Sequence, residues 1–202
     1  EGRIERWELL PGQLRVDDHF SYDELDERLE AAEPAGSSPG LPLALERLQQ
    51  IAVRRIETRR SKGAIQFYRP ELKIEVRGPR ISLKRLDPAS ATRRLISEFM
   101  ILGNSLAADY CQNRKLPTIF RSQPPPEELP PIPEKYDPVL FDQIISRLER
   151  SRLSLEPERH SALGLERYTQ VTSPIRRYTD LVMQQQISAD LQGLPLPYSE
   201  EQ

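Results

Sequence analysis

Apolar side chains recur every three or four positions along several stretches of this chain, the spacing that places them on one face of an α-helix. The first helix is predicted to begin at Ser21, because Ser21 and Glu24 can form a capping box, and to reach Leu29. A second helix is predicted from Leu43 to about Arg60. Four arginines follow its apolar stripe and are interpreted as a solvated face, with a binding patch as the alternative: Arg54, Arg55, Arg59 and Arg60.

Three more helices are predicted in the second half of the chain. A long one follows Asp87, a suitable cap, and carries a core stripe that starts at Leu95. A shorter one begins at Asp137 and runs through Leu148. The last starts at Ser173, a good N-cap that is followed by a proline at the first helical position. Its apolar positions are Ile175, Tyr178, Leu181, Val182 and Ile187.

Apolar and polar residues alternate between the second and third helices, which predicts β-structure. The alternation covers residues 65–67 and 72–76. A turn at Gly78 then leads to a further strand around Ile81 and Leu83. The chain as a whole is therefore predicted to be an α+β fold, with helices packed around a small, mostly antiparallel sheet.

The remaining segments read as connections. Residues 1–14 are expected to be extended, and residues 35–40 to form a flexible loop. The proline-rich stretch 123–138 is expected to be a stiff, extended connection, with recruitment of a proline-recognition module as the alternative. Residues 149–167 are expected to be irregular. No internal repeat and no domain boundary is evident, so residues 1–202 are treated as one unit.

Composition narrows the functional classes. The 202 residues are 37% apolar and 30% charged with a net charge of −2, so a nucleic acid would have to be bound by a local basic cluster. One cysteine and two histidines make a disulfide and a zinc site improbable. No apolar run approaches the length of a membrane span, and no secretory signal opens the chain, so a cytoplasmic location without membrane contact is expected.

Two arginines next to the predicted start of the last helix are candidates for chemistry. A helix N-terminus is electropositive and favours anions, so Arg176 and Arg177 there suggest a phosphate site. The alternative is that both are simply solvated, or that one pairs with Asp180 along the helix.

The stretch from His160 to Gln184, which contains the run Tyr168-Thr-Gln-Val-Thr-Ser-Pro-Ile-Arg-Arg-Tyr-Thr-Asp180, favours the phosphate site, because it resembles the signature of the ribonuclease II/ribonuclease R family. The resemblance implies the C-terminal part of an RNB catalytic domain. It further implies a 3′→5′ exoribonuclease that releases nucleoside 5′-monophosphates from single-stranded RNA. Arg176 aligns with the family's catalytic arginine, which holds the scissile phosphate. Arg177 is a weaker RNA contact, Tyr178 is expected in the core, and Ser173 and Asp180 are expected to support the site, with Asp180 orienting Arg176.

Two further segments are similar to family motifs. Glu98 and Asn104 fit the family's Glu-x-Met-Ile-x-x-Asn helix, which borders the RNA channel and whose glutamate contacts terminal nucleotides. The alternative for Glu98 is an exposed helix edge. Phe67 lies in a segment similar to the family's Gly-Ala hairpin, where an aromatic ring stacks on bases. The alternative for Phe67 is a core position.

The family hydrolyses RNA with magnesium held by an aspartate cluster, and nothing in this chain matches that Asp-x-Asp-Asp pattern. We therefore expect no metal ligands here, an inactive isolated chain, and a site completed by the rest of the RNB domain, with flanking OB or S1-type domains as further partners. Gln170 and Gln184 stand where many members carry histidine. These departures favour the alternative function, a non-catalytic RNA-binding or scaffolding relative.

Overall fold

The computed structural model describes residues 4–31, 41–66, 69–87, 90–133 and 136–199. Five α-helices and two small antiparallel sheets make up this part of the chain, which confirms the α+β class. The helices are α1 (Tyr22–Ala31), α2 (Leu41–Ser61), α3 (Ala91–Arg114), α4 (Pro138–Arg147) and α5 (Tyr178–Leu191). The strands are β1 (Glu71–Arg77), β2 (Arg80–Leu86), β3 (Phe120–Ser122) and β4 (Arg152–Ser154), with a 3₁₀ turn at Ser161–Leu163.

The longest helix, α3, contacts α1, α2 and α5. It packs against α2 and α1 through its first half. Its second half meets α5 in a core of small and flexible side chains: Ala107, Cys111, Met183 and Ile187. One helix therefore passes from the α2 side of the molecule to the segment that carries the signature.

Strands β1 and β2 form a hairpin whose register agrees with the alternation in the sequence. Ile74 lies opposite Leu83, and Gly78 turns the chain with φ of 58°. One face of the hairpin is charged, and its Lys84 donates to Asp23 of α1 at 2.7 Å. The other face is apolar and remains 65–70% exposed at five positions. These positions are Leu72, Ile74, Val76, Ile81 and Leu83.

Two predicted helix starts are confirmed by their caps. The amide of Ser21 donates to the Glu24 carboxylate at 2.7 Å, and the amide of Glu24 donates to the Ser21 hydroxyl at 3.3 Å. The Asp137 carboxylate accepts from the amides of Val139 and Leu140 at 2.8 and 3.0 Å. Both caps bond within three residues of themselves, which is why the local sequence is enough to locate them.

The predicted cap of α3 is wrong by three residues. Ser90, not Asp87, caps the helix, and its hydroxyl accepts from the amide of Arg93 at 3.3 Å. The carbonyl of Asp87 instead accepts from the amide of Ser90 at 3.2 Å. Ser90 directly precedes the first helical residue, Ala91, and is therefore in the position from which a side chain can cap the helix.

Residues 149–167 contain more regular structure than expected. Strand β4 pairs with β3, and His160 forms isolated bridges with Gln123 and Leu165. The proline-rich stretch 123–138 begins with the bridge residue Gln123 and ends with Pro138, the first residue of α4; its described residues in between, 124–133 and 136–137, have no helix or strand, as predicted. The predicted loop at 35–40 lies outside the described residues. Within the described ranges, no helix has the length and apolar character needed to cross a membrane.

Candidate functional site

The arginine-rich segment folds as a separate turn ahead of α5, and not as the first turn of that helix. The amides of Arg176 and Arg177 both donate to the carbonyl of Ser173, at 3.3 and 3.1 Å. Arg177 then adopts an extended conformation (φ −129°, ψ 116°), and α5 begins at Tyr178. The prediction that Ser173 caps α5 is therefore wrong, because the chain straightens at Arg177 before the helix begins.

Asp180 holds this turn from inside the molecule. Its side chain is fully buried, and its Oδ2 accepts from the backbone amide of Ser173 at 2.9 Å and from Arg177 at 2.7 Å. The expectation that Asp180 orients Arg176 is wrong, because the ion pair is made with Arg177 instead. Asp180 thus positions the backbone of the turn and its second arginine, while Ser173 contributes its amide and carbonyl.

Arg176 is exposed, and no ion pair or hydrogen bond engages its guanidinium among the described residues. Its neighbours Ile175 and Tyr178 are also exposed, at 101% and 72%. Tyr178 was expected in the core, and this prediction is wrong, because the buried apolar positions of α5 start at Val182 and Met183. The turn therefore presents an unpaired guanidinium that is free to bind a phosphate.

The segment before the turn is anchored by α3 and α5. Asn104 is buried on α3, donates to the Tyr168 hydroxyl at 2.8 Å and accepts from the amide of Val171 at 2.9 Å. Gln184 of α5 donates to the carbonyl of Val171 at 2.6 Å. Burial raises the pKa of Tyr168, so its hydroxyl stays protonated at neutral pH. Asn104 acts as a supporting residue that fixes the entry to the signature turn.

Gln170 takes part in a second set of contacts, with a residue that the sequence did not single out. Arg121 of β3 donates to the side-chain oxygen of Gln170 at 3.1 Å and to the hydroxyl of Ser151 at 2.7 and 3.0 Å. These partners are 49 and 30 positions away along the chain, so no local pattern reveals them. Gln170 and Gln184 both make structural hydrogen bonds in this protein.

Glu98 is buried and paired. Its side chain is 1% exposed, and its oxygens accept from Arg59 of α2 at distances of 2.6–3.0 Å. Arg55 lies 3.4 Å away, and Arg59 also donates to the carbonyl of Leu163 at 3.0 Å. The interpretation of all four arginines as a solvated face is wrong for these two, because an unpaired buried carboxylate is too costly to leave alone.

A cleft lies beside this ion pair, between the end of α2 and the start of α3. Its volume is about 310 Å³, and its lining includes Arg59, Arg94 and Glu98. The turn after the 3₁₀ segment closes against α2 at Gly164, where φ is 64° and an added Cβ would lie 2.6 Å from the Arg59 carbonyl oxygen. Gln66 reaches the cleft, whereas Phe67, the predicted stacking residue, lies outside the described residues.

Two further buried groups near these elements, His160 and Cys111, are uncharged at neutral pH. Burial, assisted by the charge of Arg121, lowers the pKa of His160 to about 4, and the imidazole packs edge-on against Tyr168. Burial raises the pKa of the Cys111 thiol to about 11. Both side chains are buried and contribute to packing.

The described residues do not fit a magnesium site. Nowhere in the described ranges do three or more histidine, cysteine, aspartate or glutamate side chains come together closely enough to hold an ion. Of the neighbouring pair Asp17 and Asp18, Asp17 forms an exposed ion pair with Arg15. The arrangement can bind and orient a phosphate, but the described residues do not assemble a metal centre.

A family model and several relatives match this sequence. The model of the RNB domain matches residues 1–130 and 131–193 of this chain. An uncharacterised ribonuclease of Synechocystis is 36% identical over 100% of this chain and 30% of its own length. The chloroplastic/mitochondrial ribonuclease II of Arabidopsis thaliana is 33% identical over 74% of this chain and 20% of its own length. This chain therefore spans less than a third of each relative.

Solved structures share the fold at lower identity. The Dss1 exoribonuclease of Candida glabrata superposes with a TM-score of 0.78 at 24% identity, over 91% of this chain and 25% of that one. RNase R of Mycoplasma genitalium with double-stranded RNA gives a TM-score of 0.70 at 21% identity, over 85% and 37%. Yeast Ssd1, a pseudonuclease, gives 0.57 at 20% identity, over 89% and 26%. With a family match that covers nearly all of its length and relatives above 30% identity, this chain belongs to the RNB domain family.

Proposed function

We propose that the protein is a 3′→5′ exoribonuclease and that this chain is the C-terminal portion of its RNB domain. The observation that carries the proposal is the signature turn, which presents the unpaired guanidinium of Arg176 on a backbone fixed by Asp180. The substrate is single-stranded RNA, and the products are nucleoside 5′-monophosphates. The protein acts in the cytoplasm.

Arg176 contributes to catalysis by binding the scissile phosphate. A guanidinium forms two parallel hydrogen bonds to phosphate oxygens and offsets the negative charge that grows on them in the transition state. Arg176 makes no competing ion pair within the described residues. No intramolecular ion pair there has to break before its guanidinium binds the phosphate. Arg177 is half-buried on Asp180 and contacts RNA less directly.

The remaining predicted residues support binding. Asn104 holds the entry to the turn through Val171, so its role is to position Arg176. Glu98 borders the RNA path, where its carboxylate fixes Arg59 and the wall of the cleft. Phe67 stacks on a base near the 3′ end, a contact worth about 1–3 kcal/mol.

Magnesium ligands are contributed by other parts of the protein, because the described residues do not form a site for the ion. When bound there, the ion supplies charge stabilisation and an activated water for phosphodiester hydrolysis. The rest of the RNB domain and flanking OB or S1-type domains complete the RNA channel. The chain on its own is then inactive.

A non-catalytic RNA-binding relative is the second candidate. Gln170 and Gln184, where many members carry histidine, favour it, and the fold is shared with a pseudonuclease. Against it, both glutamines hold the signature segment through hydrogen bonds to Arg121 and Val171, so the substitutions leave the turn intact.

The test is digestion of 5′- and 3′-labelled single-stranded RNA by the full-length protein in magnesium. Stepwise shortening of the 5′-labelled strand, with labelled mononucleotide released from the 3′ end, is expected for the wild type. Arg176→Ala should abolish both, whereas Arg54→Ala, an exposed position on α2, should leave both unchanged. RNA that is bound but not shortened by a folded wild-type protein would establish the non-catalytic candidate.

A further inference from the structure

The hairpin of β1 and β2 presents an apolar surface that the described residues leave largely uncovered. We call this surface the hairpin face, and its members are Leu72, Ile74, Val76, Ile81 and Leu83. Ile74 lies opposite Leu83 in the register, so the apolar side chains of the two strands form one continuous surface. Lys84, on the opposite face, donates to Asp23, so the charged face is the one that this ion pair holds against α1.

The hairpin needs a further layer of structure. A hairpin of two strands is at best marginally stable in water unless its apolar face packs against another element. Within the described residues, β1 and β2 form a sheet of only two strands. The five apolar side chains are 65–70% exposed, so most of the hydrophobic stabilisation that the hairpin face offers is not used by these contacts.

One cation lies at the end of the hairpin face. Arg85 is opposite Leu72 and exposed, and no ion pair or hydrogen bond engages it among the residues that the structure describes. A layer that covers this end removes water from the guanidinium, and an unpaired cation away from water is costly. The covering layer is therefore expected to be apolar along Ile74 and Leu83 and acidic next to Arg85.

The size of the hairpin face favours a partner within the same polypeptide. Its five side chains offer roughly 300–600 Å² of apolar surface, taking about 60–120 Å² for each. A stable interface between separate chains buries about 800 Å² on each partner. A segment of the same polypeptide can dock on a smaller surface, because the link between the two parts reduces the loss of translational freedom.

The family match places the hairpin inside one domain. The RNB domain model covers residues 1–130, and β1 and β2 lie between residues 71 and 86. The Synechocystis relative matches all of this chain with only 30% of its own length. A surface inside a domain is normally covered by that domain, so these findings favour a covering layer from RNB sequence outside residues 1–202.

We propose that the hairpin face is an intramolecular docking surface, covered in the full-length protein by an apolar layer of the same RNB domain that places a carboxylate beside Arg85. The inference rests on the proposed function in taking this chain as one portion of that domain. It assigns the joint between the two portions to a surface that contains neither Arg176 nor Glu98.

Labelling of single cysteines in the full-length protein with a maleimide tests the surface. Ile74→Cys and Leu83→Cys place a thiol on the hairpin face, and Lys73→Cys is the matched control on the charged face of β1. Mass spectrometry of the peptide that carries the new thiol gives each rate, and circular dichroism checks that each variant is folded. Both hairpin-face thiols should react at least about tenfold more slowly than the control, at every protein concentration.

Two results of the labelling would overturn the proposal. Rates equal to that of Lys73→Cys would show a free surface, and protection that is lost on dilution would show a second copy of the protein as the cover. A benzophenone amino acid in place of Arg85 then identifies the layer by photo-crosslinking. The crosslink should join Arg85's position to an RNB peptide of the same polypeptide outside residues 1–202, and a crosslink to a second copy or within residues 1–202 would contradict the assignment.

Digestion of labelled RNA by the same wild-type protein separates this inference from the proposed function. If the hairpin-face thiols react freely while the protein shortens RNA, the docking surface fails and the exoribonuclease function stands. If the thiols are protected and the RNA is not shortened, the docking surface stands and the catalytic function fails.

Discussion

Replacing Arg59 by methionine should destabilise the protein strongly. The side chain of Glu98 is only 1% exposed, and in the variant its nearest cation is Arg55. The carbonyl of Leu163 also loses its hydrogen-bond donor. Removal of one partner from a buried ion pair costs about 3–5 kcal/mol, because the other charge stays buried without compensation. For a cooperatively unfolding unit of about 200 residues, that cost lowers the melting temperature by about 10 °C.

The measurement is thermal unfolding followed by far-ultraviolet circular dichroism. Arg54→Met is the matched control, because it removes an arginine from an exposed position of the same helix, where substitutions change stability by about 0.5 kcal/mol or less. A triple variant, Arg55→Met with Glu98→Leu and Arg59→Met, should recover most of the lost stability, because apolar residues of similar volume often replace a buried ion cluster without cost. The reasoning is refuted if Arg59→Met melts with the Arg54→Met control, or if the triple variant melts below the single one.

Three further predictions concern buried polar groups. Asn104→Ala should lower the free energy of unfolding in urea by about 1–3 kcal/mol, because it leaves the Val171 amide and the Tyr168 hydroxyl without their partner. A urea midpoint equal to that of the wild type would contradict these contacts. The pKa of the His160 imidazole is 6.5 in the unfolded state and about 4 in the folded state. Between pH 6.5 and pH 4 the unfolded state therefore binds more protons than the folded state. The free energy of unfolding should fall as the pH drops through this window. His160→Gln should flatten that part of the stability–pH curve, and an unchanged slope would assign it to other groups. The Cys111 thiol, buried and with its pKa raised to about 11, should resist iodoacetamide at pH 8 until the protein is unfolded, and rapid alkylation of the native protein would show that this part of the core opens.

Features that depend on neighbours in sequence could be predicted. The capping box at Ser21 and the cap at Asp137 are made by groups within three residues of each other, and the β1–β2 hairpin follows from alternation around Gly78. Membership of the RNB family could also be predicted from the sequence, because the signature is a continuous run of residues. In these cases the physical interaction and the sequence pattern have the same span.

Features that depend on distant partners could not be predicted. Arg59 and Glu98 are 39 positions apart. The sequence therefore could not show that Arg59 forms an ion pair with a residue of another helix, whereas Arg54 and Arg60 on the same helix are exposed. The same holds for Arg121 and Gln170, which are 49 positions apart. Here tertiary contacts override a local reading that was reasonable for an isolated helix.

The start of α5 shows a different limit. Ser173 and the following proline are favourable for a helix start, and the chain does turn there, with Ser173 accepting from Arg176 and Arg177. The burial of Asp180, which draws the Ser173 amide and Arg177 toward itself, coincides with a break in the helical path. A local signal for a turn was therefore correct, but the length of the helix was set by a buried charge.

Helix α3 carries both anchors of the proposed RNA path, with Glu98 at the cleft and Asn104 at the signature segment. The two residues are six positions apart, which corresponds to a separation of about 9 Å along the helix axis and a rotation of about 240° around it. The helix thus works as a spacer of fixed length and phase. A single residue inserted between the two anchors would turn one relative to the other by about 100°, so this interval of α3 should tolerate substitutions at its exposed positions but no change in length.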